Sequence, residues 1–203
     1  MRKEPRAMEE GEQLRIRELL KVRVEDCEGR HVGHLQDLAL DPRDAPRIGY
    51  LAVHLLWTDR VGVIELARRA EDIVVLLPWG EVVREDTGAE LITLSCAHPR
   101  LPVRSASGKW LVRRDILDKQ MVDTYGMKIQ RVDDVVLACS GGSLDIAGLE
   151  VSRGMLIAST GLRSYIDGLR RKHASRHDSE VIPWAAVQRV EEGAVVIEGR
   201  HTR

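Results

Sequence analysis

Phenylalanine is absent from the 203 residues, and aromatic side chains make up only 3% of them. Any core must therefore be packed with Val, Leu and Ile. A surplus of one charge is missing as well. Lys plus Arg number 31 against 32 Asp plus Glu, for a net charge of −1, which argues against a nucleic-acid binder, whose surface normally carries an excess or a face of cations. No apolar run approaches the roughly 18 residues of a membrane-spanning helix. The opening residues, MRKEPRAMEEGEQ, are charged and lack the apolar stretch of a secretory signal. Three cysteines, Cys27, Cys96 and Cys139, are an odd number without C-x-x-C spacing, the pattern of reduced thiols in a cytoplasm.

What the chain does contain, it contains twice. Gly29, Val32, Leu35, Asp37 and Leu40 recur as Gly126, Ile129, Val132, Asp134 and Leu137, each 97 positions later, and Asp26 recurs as Asp123. Ile48, Leu51 and Val53 return as Ile146, Leu149 and Val151 at an offset of 98. Leu76-Leu77-Pro78-Trp79 with Val82 returns as Val181-Ile182-Pro183-Trp184 with Val187 at an offset of 105. Three collinear blocks mean two copies of one small unit. The expected organisation is a polar tail over 1–13, a first copy over 14–97, a linker over 98–108 (HPRLPVRSASG) and a second copy over 109–200. Units of this size bury little core on their own, so packing between the copies, or a homodimer, is expected.

The segments between turn signals are short, β-branched and loosely alternating, as in IGYLAVHLL, VGVIEL and IVVLLPW. That pattern predicts an all-β barrel or sandwich. One helix is expected in the second copy, with Thr160 as N-cap, Leu162, Tyr165, Ile166 and Leu169 on one face, and Arg170, Arg171, Lys172 and His173 at its C-terminal end. Ser140-Gly141-Gly142-Ser143 lies between two strands without a phosphate-loop lysine and reads as a hairpin turn.

The unit D-x-x-G-x-x-[VI]-x-x-[VL]-x-D-[LV]-x-L, standing at Asp26–Leu40 and Asp123–Leu137 and followed by Pro-Trp, resembles the PRC-barrel family. The resemblance spans about residues 20 to 200 and implies two tandem barrels of about six strands. The D-K-Q-x-V-D segment at Asp118–Asp123 is its most specific part. The second copy, LVRRDILDKQMVDTYGMKIQRVDDVVL with VIPWAAVQRVE, is similar to the double PRC-barrel region that precedes a magnesium-transporter N-terminal domain and CBS domains in bacterial proteins. These 203 residues hold no counterpart of those further domains, so their activities are not carried over. Other PRC barrels belong to photosynthetic reaction centres and ribosome maturation factors.

The singled-out residues are expected to be largely structural. Gly29 and Gly126 should supply positive φ in turns. Asp37 and Asp134 should cap backbone donors. The Pro78-Trp79 and Pro183-Trp184 pairs should plug each barrel. His31 and His34 form H-x-x-H, which in a strand should splay to opposite faces, and His173 with His177 lacks a third ligand, so neither a metal nor a cofactor is expected. There is no G-x-S-x-G and no Cys/His/Asp set in context, so the chain is read as a non-enzyme. Trp57, Trp110 and the strip Arg163, Arg170, Arg171, Lys172 and Arg176 are the candidate partner-binding residues. The expected function is a cytoplasmic adaptor that binds a protein partner, with the resemblance implying a transporter or CBS-domain protein and a link to divalent-metal transport. A ribonucleoprotein assembly factor or a metal-responsive sensor are the alternatives.

Overall fold

The structure, a computed structural model, describes residues 13–55, 74–86, 91–95, 106–152 and 179–198. These residues form an all-β protein. An arm made of β1 (Gln13–Arg15) and the single turn α1 (Ile16–Leu19) opens the first half. It continues into β2 (Arg23–Glu25), β3 (His31–Leu40), β4 (Tyr50–Leu55), β5 (Val74–Pro78), β6 (Val82–Asp86) and β7 (Leu91–Leu94). The second half opens with an arm of the same kind, β8 (Trp110–Leu111) and a five-residue π turn, Val112–Ile116. Then follow β9 (Gln120–Asp123), β10 (Lys128–Arg131), β11 (Asp134–Ser140), β12 (Ser143–Ser152), β13 (Ser179–Pro183), β14 (Val187–Glu191) and β15 (Ala194–Ile197).

The halves repeat one strand order. In the first, the pairing runs β5-β4-β3-β2-β7-β6. In the second, β13-β12-β11 and β10-β9-β15-β14 are the same path, interrupted where β3 has become two strands. Both halves contain one parallel contact, β2 with β7 and β9 with β15. The expected helix from Thr160 lies outside the described residues, as do Trp57, the Arg163–Arg176 strip, His173 and His177. Among the described residues no helix is long and apolar enough to cross a membrane.

Local chemistry explains the recurring turn. The carboxylate of Asp26 accepts the N–H groups of Glu28 (3.0 Å) and Arg30 (2.9 Å), and that of Asp123 accepts those of Tyr125 (2.9 Å) and Met127 (2.8 Å). The chain then reverses through a left-handed residue, Gly29 at φ 75° and Gly126 at φ 81°. Glycine occupies this conformation without the Cβ clash that other residues meet. After β5 and β13 the Pro-Trp pair enters a short 3-10 turn, Trp79–Glu81 and Trp184–Ala186. The serine–glycine stretch is the hairpin turn between β11 and β12, with Gly141 and Gly142 both at positive φ, as a tight two-residue hairpin requires.

The arms do not stay with their own halves. β1 runs antiparallel to β11, with Gln13 opposite Ala138, Leu14 opposite Leu137 and Arg15 opposite Val136. In return β8 pairs with β3, placing Trp110 opposite Leu40 and Leu111 opposite Ala39. Gln13, expected in the polar tail, is therefore a strand residue. Of the expected linker, Ala106 packs against Ala39, Ala52 and Leu76. The main apolar cluster runs unbroken through both halves, from Leu14, Ile16 and Leu19 through Leu35, Leu51 and Leu77 to Ile116, Leu137, Leu149 and Ile197. Burying the arms' Ile16, Leu19, Val112 and Ile116 contributes about 2 kcal/mol each.

At Gly33 the backbone of β4 passes so close that an added Cβ would lie 2.1 Å from the His54 carbonyl oxygen, whereas at Gly80 nothing lies within 4 Å. The Gly33→Ala variant should lose about 2–3 kcal/mol in urea unfolding because strand β4 must shift. Gly80→Ala should stay within about 0.5 kcal/mol of the parent. Equal effects of the two would contradict the close approach.

Candidate functional site

The seam between the halves gathers the repeated acids and one of the repeated tryptophans. Asp37, on β3, is 6% exposed. Its Oδ1 accepts the N–H of Leu38 (2.7 Å) and of Arg113 (2.7 Å), and its Oδ2 accepts the N–H of Arg114 (3.1 Å). Two of these donors are otherwise unpaired amides at the start of the second half's π turn. Asp134 holds the equivalent post, accepting the N–H of Val135 (2.8 Å) and a backbone donor of Arg17. Each acid thus caps the arm of the other half. Burial pushes the Asp37 carboxyl up to about 6 against the pull of its three N–H donors. Burial also raises Asp134, although the Arg17 guanidinium lies 3.7 Å from it.

Three further contacts close the seam. The Ile48 N–H donates to Leu144 O (2.8 Å) and the Ile146 N–H to Pro46 O (2.9 Å), an antiparallel bridge centred on Arg47 and Asp145. Ile48 and Ile146 are repeat partners, so the bridge maps onto itself when the halves are exchanged. The Trp79 indole N–H donates to Gly142 O in the other half at 3.1 Å, which meets the polar requirement of a ring only 9% exposed. Trp184 is half-buried against the core. Lys109, at the entry to the second half, pairs with Asp41 (2.7 Å) and lies over the Tyr50 ring at 5.5 Å. That pairing holds the Lys109 ammonium above its ordinary range and the Asp41 carboxyl below its own.

The two arms differ at one matched position. Arg15, opposite Val136, makes a bidentate bond to Glu150 (Nε–Oε2 2.5 Å, Nη2–Oε1 3.2 Å), and Glu150 is 7% exposed. Leu111, opposite Ala39, instead packs on an apolar patch that includes Ala52, the repeat partner of Glu150. One arm is keyed to its seat by charge and the other by apolar contact.

His31 and His34 correct the sequence reading. Their rings meet edge to face, with centroids 4.7 Å apart, instead of splaying to opposite faces. The cause is a bulge: Arg23, Val24 and Glu25 oppose His34, Gly33 and His31, so one extra residue of β3 breaks the alternation. Burial, with the charge of Arg23, lowers the His31 pKa. Among the described residues no group of three or more His, Cys, Asp or Glu is placed to hold a metal ion. Cys27 is exposed and Cys139 partly buried, and neither is in a disulfide.

Of the candidate partner-binding residues, Trp110 is described. It is half-buried and lies in an open groove of about 510 Å³ between the second arm and the β14–β15 hairpin, lined also by Lys109, Arg114, Lys119, Val190, Glu192 and Gly193. Tyr125 and Met127, at the tip of the β9–β10 turn, are 62% and 67% exposed. No family model matches the chain, and no curated protein sequence matches it.

The arms themselves carry a signal that the repeat alignment from Asp26 onward leaves out. Leu14, Arg17, Glu18, Leu19 and Leu20 recur as Leu111, Arg114, Asp115, Ile116 and Leu117 at the same offset of 97. Glu18 accepts the Arg15 N–H (3.1 Å) as Asp115 accepts the Leu111 N–H (2.8 Å). The π turn holds one residue more than α1, since Leu117 N–H reaches Val112 O where Leu20 N–H reaches Ile16 O. That extra residue puts Trp110 opposite Leu40, where Leu14 faces Leu137.

Asp37 gives the seam a pH dependence with a definite sign. Its folded pKa lies above the ordinary 3.8, so the folded state holds the proton more tightly. Its contribution to stability is full below about pH 4 and is lost as pH rises through about 6. The loss amounts to about 3 kcal/mol at most. Urea unfolding of the parent and of Asp37→Asn at about pH 4, 5, 6 and 7 should show the parent losing ground to the variant as pH rises. A pH-independent difference would contradict it.

Proposed function

We propose that the chain is a non-catalytic cytoplasmic adaptor made of two PRC-type barrels, which binds a protein partner and is linked to divalent-metal transport. The observation that carries this reading is the division of labour among its polar groups. The repeated acids that invite a catalytic or metal-sensing role, Asp37 and Asp134, are occupied by backbone N–H groups across the seam. The accessible features are a groove with the Trp110 ring in its wall and the exposed Tyr125–Met127 tip. Half-buried aromatics flanked by charged side chains are the surfaces that protein partners use as anchors. The D-K-Q-x-V-D segment, Asp118–Asp123, which borders this groove through Lys119, supports the link to transporter-associated PRC barrels.

Affinity purification of the tagged chain from its host, compared with Lys119→Glu and Glu192→Lys, tests the reading. Neither side chain makes a hydrogen bond within the seam, so both variants should keep the parent's stability. Recovery of a transporter or CBS-domain protein, reduced about tenfold by either variant, corresponding to about 1.4 kcal/mol of binding, is the expected result. Recovery of ribosomal proteins or RNA would replace the adaptor with an assembly factor. A partner retained equally by parent and variants would remove the groove from the account.

A further inference from the structure

We propose that His31 and His34 form a two-imidazole site for a transition-metal cation of the Zn²⁺ type. Alternation along a strand would separate these side chains, but the bulge between β2 and β3 brings the rings together, with centroids 4.7 Å apart and planes at 86°. Two imidazole nitrogens held at about 2.0–2.1 Å from one ion set their ring centroids roughly 4.5–5.2 Å apart for angles of about 90–110° at the metal. The observed separation falls within that range, so one ion can reach both rings. In the second copy the equivalent residues, 97 positions on, are Lys128 and Arg131, whose charged side chains are not metal ligands. The imidazole pair is therefore not a requirement of the repeated backbone.

Hydrogen bonds fix which ring nitrogens are available. His31 Nε2 lies 3.1 Å from Gly33 O, and His34 Nδ1 lies 3.3 Å from Lys21 O. A carbonyl oxygen only accepts, so each of these nitrogens carries a proton. In the neutral rings the lone pairs then sit on His31 Nδ1 and His34 Nε2. A ring N–H held by a backbone carbonyl is the outer support that metal-binding histidines ordinarily have. Burial, and then the charge of Arg23, hold the His31 pKa below its ordinary value, which keeps that ring in its ligating form at neutral pH. Arg23, across from His34, is itself paired with Glu25 at 2.6 Å, and the pairing offsets its repulsion of a cation. No third His, Cys, Asp or Glu among the described residues completes the set, so water fills the remaining positions. Imidazole selects Zn²⁺, Ni²⁺ or Cu²⁺ over Mg²⁺ and Ca²⁺, which take oxygen ligands. Neither histidine lines the Trp110 groove, so the site stands apart from the partner surface.

Titration of the isotope-labelled chain with Zn²⁺, followed in proton–nitrogen imidazole spectra, tests the site residue by residue. Without metal, the spectra should show His31 protonated at Nε2 and His34 at Nδ1. Added Zn²⁺ should move His31 Nδ1 and His34 Nε2 along one common saturation curve, and the same concentration of Mg²⁺ should move neither. His34→Ala should raise the Zn²⁺ concentration needed at His31 at least about tenfold, since even the outer-shell partners of a ligand are worth about 10- to 100-fold in affinity. A His31 curve unchanged in the folded variant overturns the proposal. If the variant does not fold, the parent alone decides. There, separate curves for the two rings, or signals that Zn²⁺ leaves in place, overturn it.

Discussion

Everything in this architecture depends on a carboxylate that leaves its own strand to hold the backbone of the other half. An isolated turn such as Ile16–Leu19 or Val112–Ile116 is too short to persist alone, because its first amides have no partner and nucleation is unfavourable. Asp37 and Asp134 supply acceptors, and the arms become docked pieces of the opposite half. Their aliphatic residues then join two limited apolar sets into one core. The absence of phenylalanine makes this coupling more consequential. Small aliphatic cores gain stability by being continuous, and separate halves of this size would be marginal.

The repeat is symmetric in backbone and asymmetric in chemistry. Turns at Asp26 and Asp123, parallel contacts at β2–β7 and β9–β15, and the bridge at Arg47–Asp145 all obey the duplication. The arm seats do not: Glu150 waits for Arg15 where Ala52 waits for Leu111. The Arg15–Glu150 pair is only partly buried, with the Arg15 side chain 40% exposed, and adds little net stability over an apolar contact. The difference therefore acts mainly on register and on which arm docks where. In the adaptor reading, the Trp110 groove shares Lys109 and Arg114 with the seam, and the Tyr125–Met127 tip is exposed.

The all-β class and the glycine turns could be read from the sequence because they rest on local rules. Asp-x-x-Gly needs a left-handed residue, and β-branched runs between turn formers make strands. The arm exchange could not be read that way. Leu14, Ile16 and Leu19 announce an apolar segment, but nothing in their spacing tells which half will cover them. Even so, the offset of 97 linking Arg17-Glu18-Leu19 to Arg114-Asp115-Ile116 was available as a sign that the arms belong to the repeat. The His31–His34 contact failed to show for another reason. A bulge shifts β3 against β2, and a bulge leaves no mark on an alternation count. The capping role of Asp37 is visible in residue type alone, whereas the identity of its donors, 76 and 77 residues away, is a tertiary fact.

Amide hydrogen exchange at three residues addresses the exchanged arms most directly. Arg17, Arg113 and Arg114 each place a backbone N–H on an aspartate of the opposite half. If the arms are docked as described, these amides open only when the two halves separate, and they should exchange as slowly as buried core amides such as those of Leu35 and Val132, which donate to Val22 O and Lys119 O. Replacing Asp37 by alanine should release Arg113 and Arg114 while Arg17 stays protected. Fast exchange at all three in the parent chain, at the rate of a frayed terminus, would contradict the account.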